Sequence, residues 1–253
     1  MNIKGIGSLV AAILLTPVMT SGVMANEKSI CGVDDRVPSS LPSIGRLLGQ
    51  RTDGGGCTVT MISKTCGISA GHCSGTFGFA EFNTPPSIGG SIQHPAEEDI
   101  YPIDKAATEY TYTGLGDDWA VVRVKANPVT GLFAGDVQGS YDVEFNKPNS
   151  GTVVRITGYG LDRSDPDRNL AQQTHTGEVV KFRGSTMYHV ADTMGGNSGS
   201  SIIRESDQKI VAIHTNGGCS TRGGSNAATV ISENEDLKKA IRTCLAEEAL
   251  LSY

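Results

Sequence analysis

The sequence predicts an all-β protein that ends in one α-helix, and three observations support this fold class. The chain contains 32 glycines among 253 residues and only 19% charged residues, which is typical of secreted β-rich proteins. Short apolar runs recur between turn residues, and none shows a helical period before the C-terminus. A single amphipathic segment then begins near residue 233. This pattern favours a barrel or a sandwich closed by a terminal helix.

The first residues have the pattern of an export signal. Lys4 supplies a positive start, residues 6–18 form an apolar run, and Val23-Met24-Ala25 forms a cleavage site of small residues. We therefore expect a signal peptide at residues 1–25 and one folded domain at residues 26–253. The apolar run is too short for a membrane span, so a secreted extracellular or periplasmic protein is expected. The exact start of the mature chain stays open.

Six segments carry a strand signal, because they are rich in β-branched residues and are bounded by Gly, Asn, Asp or Pro. They are residues 57–63, 119–124, 152–160, 177–182, 200–204 and 209–215. Residues 127–150 contain two prolines and several glycines. We expect this stretch to cross between two halves of the fold.

The C-terminal segment has a helix start signal followed by an apolar stripe. Ser232 and Glu235 have the spacing of a capping box, in which Ser232 is expected to cap the helix. We expect a helix over about residues 233–247 that buries one face. The residues of that face are Leu237, Ala240, Ile241, Cys244 and Leu245.

Charge and cysteine spacing argue against several classes of function. The net charge is −6 and no basic run is present, so nucleic acid is not an expected partner. Six cysteines behind an export signal predict disulfides, since neither C-x-x-C nor a zinc-like Cys/His spacing occurs. The chain also lacks H-E-x-x-H, which argues against a metalloprotease. No metal and no cofactor is therefore expected.

The stretch GGNSGSS at residues 195–201 places Ser198 between glycines. Glycine permits positive φ and close approach of another molecule, and a serine nucleophile needs both conditions. A Gly/Ser loop without chemistry is the alternative. A serine also needs a base and an orienting carboxylate. His72 in ISAGHC and Asp118 at the start of an apolar strand are the candidates, and Asp117 is an equally charged rival.

The motifs SAGHC, DDWAVV and GGNSGS, in this order, resemble those of the chymotrypsin-like serine proteases. The resemblance extends from about residue 30 to the terminal helix. It implies two six-stranded antiparallel β-barrels, at about residues 30–130 and 150–231, with the active site in the cleft between them. It also implies that peptides or proteins are the substrates, and we expect the protein to be a monomer.

The resemblance assigns a role to each of the candidate residues His72, Asp118 and Ser198. Ser198 would attack the scissile carbonyl, His72 would accept and return its proton, and Asp118 would orient the imidazole. The N–H groups of Gly196 and Ser198 would bind the oxyanion. Asn197 stands where animal digestive members carry an aspartate that pairs with a freed N-terminus, so this chain is similar to the bacterial members.

Four stretches look like the bacterial glutamyl endopeptidases, which cut after Glu and less readily after Asp. They are residues 29–36, 57–73, 191–200 and 212–218. A hairpin centred near residue 206 would place His214 opposite Ser198. By the resemblance, His214 and Thr193 line the primary pocket and bind the substrate carboxylate, and a charged histidine suits this task.

Asp192 is a competing signal, because trypsin-like members hold a carboxylate there that selects Arg or Lys. An unscreened carboxylate in the pocket would repel a Glu side chain. We expect a preference for Glu or Asp, with a trypsin-like preference as the first alternative. A binding protein on the same fold that has lost catalysis is the second alternative.

The resemblance also suggests the disulfides. Cys57 and Cys73 match the bridge that the family forms across its histidine loop. The other four cysteines can form two bridges in three different arrangements, and we favour one of these arrangements. Cys66 would pair with Cys244 on the terminal helix, and Cys31 would pair with Cys219 near the pocket wall, each stabilising the fold by about 2–4 kcal/mol.

Overall fold

A computed structural model describes residues 29–250, so the expected signal peptide lies outside the described residues. The first half contains β1 (Val37–Pro38), β2 (Ile44–Leu48), β3 (Cys57–Met61), β4 (Cys66–Ser69), β5 (Phe79–Glu81), β6 (Ile100–Pro102), β7 (Glu109–Gly114) and β8 (Asp117–Arg123). The crossing segment contains α1 (Ala134–Gln138). The second half contains β9 (Val153–Gly158), β10 (Gln173–Arg183), β11 (Thr186–His189), β12 (Ser201–Arg204), β13 (Lys209–Asn216), β14 (Cys219–Ser220), β15 (Gly223–Gly224) and β16 (Asn226–Val230), and the chain then forms α2 (Glu235–Leu250).

The second half closes into a six-stranded antiparallel barrel. Its strands pair in the order β10-β11-β16-β13-β12-β9, and β9 pairs again with β10. The short strand β1 adds to the outside of β10. Closure removes free sheet edges, which suits an antiparallel barrel of this size.

The first half forms a barrel that closes less completely. Its seven strands pair in the order β6-β5-β2-β3-β4-β8-β7. The ends of β6 and β8 meet only at an isolated bridge between Ile103 and Val124. The prediction of two barrels with a terminal helix is therefore confirmed, with β7 as an additional outer strand.

Three apolar clusters hold the molecule together. One fills each barrel, and the third lies where α2 covers strands of the first barrel beside the second. This third cluster contains Trp119 from β8, Ile213 from β13, and Leu237, Ala240 and Ile241 from the helix. The stripe expected from the sequence is therefore the buried face of α2. None of the helices within residues 29–250 combines the length and apolarity needed to cross a bilayer.

The start of α2 differs from the expected capping box. Asn234, and not Ser232, caps the helix, because its Oδ1 accepts the N–H of Leu237 at 2.9 Å. Ser232 lies in a short 3₁₀ turn, Ile231–Glu233, and its buried hydroxyl has no partner among residues 29–250. Asn234 also donates to the carbonyl of Gly116 at 2.9 Å. This contact with the loop before β8 selects Asn234 over Ser232.

The hairpin of β12 and β13 departs from the expected register by one residue beside the turn and by two residues beyond it. Arg204 pairs with Lys209 and Ile203 with Ile210, but Ile202 pairs with Ala212. Val211 is thus an extra residue, a β-bulge that a count from the turn misses. His214 consequently faces Ser200, whose carbonyl accepts its N–H at 2.8 Å, and not Ser198.

All six cysteines are paired, in the three bridges suggested above. Cys57–Cys73 joins β3 to the turn after β4, and Cys66–Cys244 joins β4 to α2. Cys31–Cys219 joins the beginning of the described chain to β14. Two of the bridges join cysteines that are 178 and 188 residues apart in the sequence. They therefore link the two ends of the described chain to distant strands.

Candidate active site

His72 and Asp118 meet where the first barrel faces the second. The Nδ1 atom of His72 lies 2.6 Å from Oδ2 of Asp118, and the backbone N–H of His72 donates to Oδ1 at 3.0 Å. The Asp118 carboxylate is fully buried, whereas the His72 side chain is 28% exposed. Thr229 of β16 fixes the Asp118 backbone by accepting its N–H and donating to its carbonyl. The aspartate therefore holds one tautomer of an imidazole that remains accessible.

Asp117, the rival carboxylate, serves a structural purpose. Its Oδ1 accepts hydrogen bonds from Trp119 Nε1 at 3.2 Å and from Asn234 at 3.1 Å, and its Oδ2 accepts one from Thr113. The hydrogen bond from the Thr113 hydroxyl is the main cause of the lowered pKa of Asp117. Successive residues of a strand point to opposite faces, so only one aspartate of the pair reaches His72.

Ser198 lies directly beside the turn that carries His72. Its carbonyl oxygen accepts the N–H of Thr58 at 2.9 Å and lies 3.8 Å from Sγ of Cys73, the residue after His72. The disulfide between Cys57 and Cys73 joins the residue before Thr58 to the residue after His72. Two segments that are 126 positions apart in the sequence are thereby brought together at the seam between the barrels.

The structural requirement for glycine differs among the three glycines around Ser198. Gly196 has φ +103°, and a Cβ there would lie 2.2 Å from the carbonyl oxygen of Tyr159. Gly199 has φ +87°, and its Cβ would lie 2.2 Å from Oγ of Ser69. Gly195 is less constrained, because within residues 29–250 a Cβ there would meet only Cδ1 of Leu161, at 3.3 Å. The turn therefore requires glycine at positions 196 and 199.

Hydrogen bonds fix the peptide groups of this turn. The carbonyl of Gly195 accepts the N–H of Leu161 at 2.8 Å, so the N–H of Gly196, in the same planar peptide, points the other way. Asn197 closes the turn from inside, because its Oδ1 accepts the N–H of Met194 at 3.0 Å. Asn197 is buried and uncharged, and it stabilises the loop through these local bonds.

His214 is paired with a second buried histidine that the sequence reasoning missed. Its Nδ1 lies 3.3 Å from Nε2 of His189, which leaves Nε2 of His214 for a ligand. The two histidines lie on β13 and β11, and both strands flank β16. Spacing along the chain could not reveal this pair, because it depends on the strand order of the closed barrel.

Burial keeps both histidines neutral. It lowers the pKa of His189 to about 3 and holds the pKa of His214 well below its usual value of 6.5. Repulsion from His189 and His72 lowers the pKa of His214 further. The positive charge expected on His214 is therefore absent near neutral pH in the protein without ligand. Thr193, also buried, has a hydroxyl without a partner among residues 29–250.

Asp192 faces the beginning of the described chain. Its Oδ1 accepts the N–H of Cys31 at 2.6 Å, and its backbone N–H donates to Nδ1 of His175 at 2.7 Å. Burial raises the pKa of Asp192, with the Cys31 hydrogen bond as the main opposing cause. Its Oδ2 lies 3.8 Å from Nδ1 of His175. The Asp192 carboxylate therefore binds the backbone of the residues around Cys31.

Asn226 is a second residue that the sequence reasoning missed. Its Nδ2 donates to the carbonyls of Ser29 and Ala191, and its Oδ1 accepts the N–H groups of Gly218 and Cys219. The carbonyl of Ser29 also accepts the N–H of Thr193 at 3.2 Å. One amide side chain thus joins three segments beside Thr193, which with His214 is expected to line the primary pocket, called the candidate pocket below.

Two groups of side chains within residues 29–250 could offer ligands to a metal. Cys57, His72 and Cys73 form one, but both of its cysteines are in a disulfide and provide no thiolate. Asp35, His175 and Asp192 form the other. There, Nε2 of His175 already lies 2.8 Å from Asp35, and Nδ1 accepts the N–H of Asp192. Both ring nitrogens of His175 therefore already have hydrogen-bond partners in place of a metal.

Solved structures with the same architecture are known. A Glu endopeptidase superposes with a TM-score of 0.64 at 20% identity, covering 88% of this chain and all of that one. Protease Anisep from Arthrobacter nicotinovorans gives a TM-score of 0.56 at 17% identity, covering 77% of this chain and 92% of that one. At such identities the likeness shows the fold, which is the chymotrypsin-like fold.

Sequence comparison identifies the family. A model described as Trypsin matches residues 30–238. The chain therefore belongs to the trypsin family of chymotrypsin-like serine proteases. Glutamyl endopeptidase of Bacillus licheniformis is 25% identical over 215 residues, which cover 79% of this chain. The match spans 63% of the length of that relative.

Proposed function

We propose that this protein is a serine endopeptidase that hydrolyses peptide bonds through a covalent acyl-enzyme. The observation that carries the proposal is the pairing of His72 with the buried Asp118, beside the turn that contains Ser198. A buried carboxylate that binds Nδ1–H leaves Nε2 of the imidazole as the base. Membership of the trypsin family supports the same assignment.

The proposed reaction has two steps. The Ser198 hydroxyl attacks the scissile carbonyl while His72 accepts its proton, and the tetrahedral intermediate expels the amine, which receives that proton. Water then attacks the acyl-enzyme with His72 again as the base, and the acid product leaves. Asp118 stabilises the imidazolium formed in each step. The N–H groups of Gly196 and Ser198 bind the oxyanion, and the orientation of the 195–196 peptide supports this role for Gly196.

We further propose that the enzyme prefers Glu, or Asp, before the scissile bond. The buried pair of His214 and His189 offers hydrogen-bond donors to a carboxylate, and so does the hydroxyl of Thr193, which has no partner within residues 29–250. A bound carboxylate stabilises a protonated His214, so substrate binding is expected to couple to proton uptake. The similarity to a glutamyl endopeptidase supports the same preference.

The arrangement of Asp192 argues against the trypsin-like alternative. Its carboxylate is buried between two segments, with Oδ1 bound to the N–H of Cys31 and Oδ2 3.8 Å from Nδ1 of His175, so reaching an Arg or Lys side chain would break a buried hydrogen bond. The three disulfides also support secretion, because such bridges persist in oxidising compartments. Cleavage after residue 25 stays part of this proposal.

The preference is tested with a series of otherwise identical peptides. Peptides with Glu, Asp, Gln, Arg or Phe before the scissile bond are compared by kcat/KM, and Gln serves as the neutral isostere of Glu. We expect the order Glu, then Asp, then the neutral residues. His214→Ala should lower kcat/KM for the Glu peptide more than for the Gln peptide. A preference for Arg would establish the trypsin-like alternative.

Catalysis itself is tested with an organophosphonate that reacts with activated serines. We expect it to label Ser198 in the wild-type protein and not in Ser198→Ala, with hydrolysis lost in parallel. A folded wild-type protein that neither reacts nor hydrolyses any peptide of the series would instead be a binding protein on this fold.

A further inference from the structure

Thr58 connects the first barrel to the turn that contains Ser198. It follows Cys57 on β3 and is fully buried. Its hydroxyl oxygen lies 2.9 Å from the carbonyl oxygen of Gly196 and 3.1 Å from the backbone nitrogen of Tyr159. Both of these residues belong to the second barrel. The catalytic mechanism proposed above assigns no role to this side chain.

The direction of the two hydrogen bonds follows from their partners. The N–H of Tyr159 can only donate, so the Thr58 oxygen accepts from it. The carbonyl of Gly196 can only accept, so the single hydroxyl proton of Thr58 is donated to it. The hydroxyl orientation is therefore determined by the backbone on both sides, and the position requires a group that donates and accepts at once.

This bond acts on the residue whose N–H is assigned to the oxyanion. Gly196 has φ +103° and no side chain, so hydrogen bonds to its two flanking peptides determine its orientation. The peptide before it is fixed by Leu161, and the peptide after it by Thr58 and by the bond from Asn197 N to the Met194 carbonyl at 2.9 Å. The Gly196 N–H lies in the preceding peptide, so Thr58 restrains it from the other side of the Gly196 Cα: holding the following peptide limits rotation about both backbone bonds of this glycine.

We propose that Thr58 is a positioning residue for the oxyanion hole: its hydroxyl holds Gly196 so that the N–H faces the developing negative charge. The inference rests on the serine endopeptidase function proposed above. Thr58 touches neither substrate nor a reacting atom, so its removal should affect the transition state more than substrate binding. The first barrel thereby contributes to the oxyanion hole as well as supplying His72 and Asp118.

Substitutions at position 58 separate the hydroxyl from the rest of the side chain. Thr58→Ser and Thr58→Ala both lack the γ-methyl and differ only in the hydroxyl, and Thr58→Val keeps the shape without the donor. Using a Glu peptide anilide, we expect kcat to fall about 10-fold or more in Thr58→Ala and Thr58→Val, with KM nearly unchanged. Thr58→Ser should retain kcat within about threefold.

Thr60 provides the matched control. It lies on the same strand, is equally buried, and its hydroxyl has no partner among residues 29–250. Thr60→Val should therefore keep both kcat and KM. Equal losses in Thr58→Val and Thr60→Val would show a general effect of altering β3 and would overturn the proposal. So would equal kcat in Thr58→Ser and Thr58→Ala.

Binding of a transition-state analogue gives an independent measurement. A peptide aldehyde forms a tetrahedral adduct with an oxyanion, whereas the corresponding peptide alcohol cannot. In Thr58→Ala we expect the inhibition constant of the aldehyde to rise by about the same factor as kcat falls, and that of the alcohol to stay constant. Unchanged aldehyde binding would contradict the proposal. If wild-type protein neither hydrolyses peptides nor binds the aldehyde, the endopeptidase function itself fails.

Discussion

At the residue scale, two adjacent aspartates of equal charge have different surroundings. Asp118 is fully buried and binds both the backbone and the ring of His72. Asp117 binds the hydroxyl of Thr113, the indole of Trp119 and the amide of Asn234. The first set of contacts orients the imidazole of His72, and the second joins a strand to the terminal helix.

Replacing each aspartate by asparagine should therefore have different consequences. Asp118→Asn is expected to lower kcat by about 10⁴-fold, because the amide stabilises the wrong imidazole tautomer. Asp117→Asn should change kcat by less than about threefold. The measurement is hydrolysis of the Glu peptide by both purified variants. A comparable loss in Asp117→Asn would argue that strand position, and not the His72 contact, accounts for the effect.

The buried histidine pair links protonation to stability. A histidine titrates near pH 6.5 in the unfolded chain, whereas His189 has a pKa of about 3 in the folded protein. Between these values the unfolded chain binds a proton that the folded protein does not. The stability contribution of neutral His189 is thus complete above pH 6.5 and declines as the pH falls toward 3.

We expect His189→Gln to make the free energy of unfolding less dependent on pH between 6.5 and 4. The wild-type slope should be steeper by at most about 1.4 kcal/mol per pH unit, the value for one proton. Urea unfolding at several pH values measures both slopes. His175→Gln removes a histidine that is not fully buried and serves as the control. Parallel slopes for wild type and His189→Gln would contradict the assignment.

At the element scale, the start of α2 depends on which polar residue has the better partners. Ser232 and Asn234 are both good cap residues, and the capping-box spacing favours the serine. The 3₁₀ turn at Ile231–Glu233 moves the helix start to residue 235. Asn234 then caps the helix and also contacts the first barrel.

Asn234→Ala should lower the free energy of unfolding by about 1–2 kcal/mol, since it removes the cap and the bond to Gly116. Ser232→Ala should change it by less than about 0.5 kcal/mol, because that hydroxyl makes no hydrogen bond within residues 29–250. Urea unfolding of the two variants compares them directly. If the serine variant were the less stable one, the helix would begin as the capping box predicts.

At the scale of the whole molecule, two long-range disulfides act on different regions. Cys66–Cys244 ties the terminal helix to the first barrel, and Cys31–Cys219 ties the residues around Ser29 to the candidate pocket. Their sequence separations are 178 and 188 residues, so their effects on the unfolded chain are nearly equal. Any difference in function must then come from what each bridge holds in the folded protein.

Removing each bridge by a double substitution to alanine should lower the free energy of unfolding by about 2–5 kcal/mol in both cases. Only Cys31→Ala/Cys219→Ala is expected to raise KM for the Glu peptide several-fold, because Cys31 and Ser29 bind Asp192 and Thr193. The measurement pairs urea unfolding with kcat and KM. Equal changes in KM for both variants would mean that the pocket responds only to global stability.

The local features of this protein follow from its amino-acid sequence. Strand segments and the apolar face of the terminal helix could be recognised because each depends on neighbours in the chain. The candidate residues His72, Asp118 and Ser198 could be singled out because each lies in a short motif. The glycine at position 196 could also be foreseen, since a tight turn with positive φ favours it.

Contacts between distant segments, and small shifts of strand register, become visible only in the folded molecule. The turn between β12 and β13 and the bulge at Val211 each shift the register by one residue, so His214 faces Ser200 and not Ser198. Barrel closure brings His189 next to His214. The contact of Thr58 with Gly196 likewise joins strands of different barrels. Such interactions arise from how strands close and pack, and no periodicity along the chain encodes them.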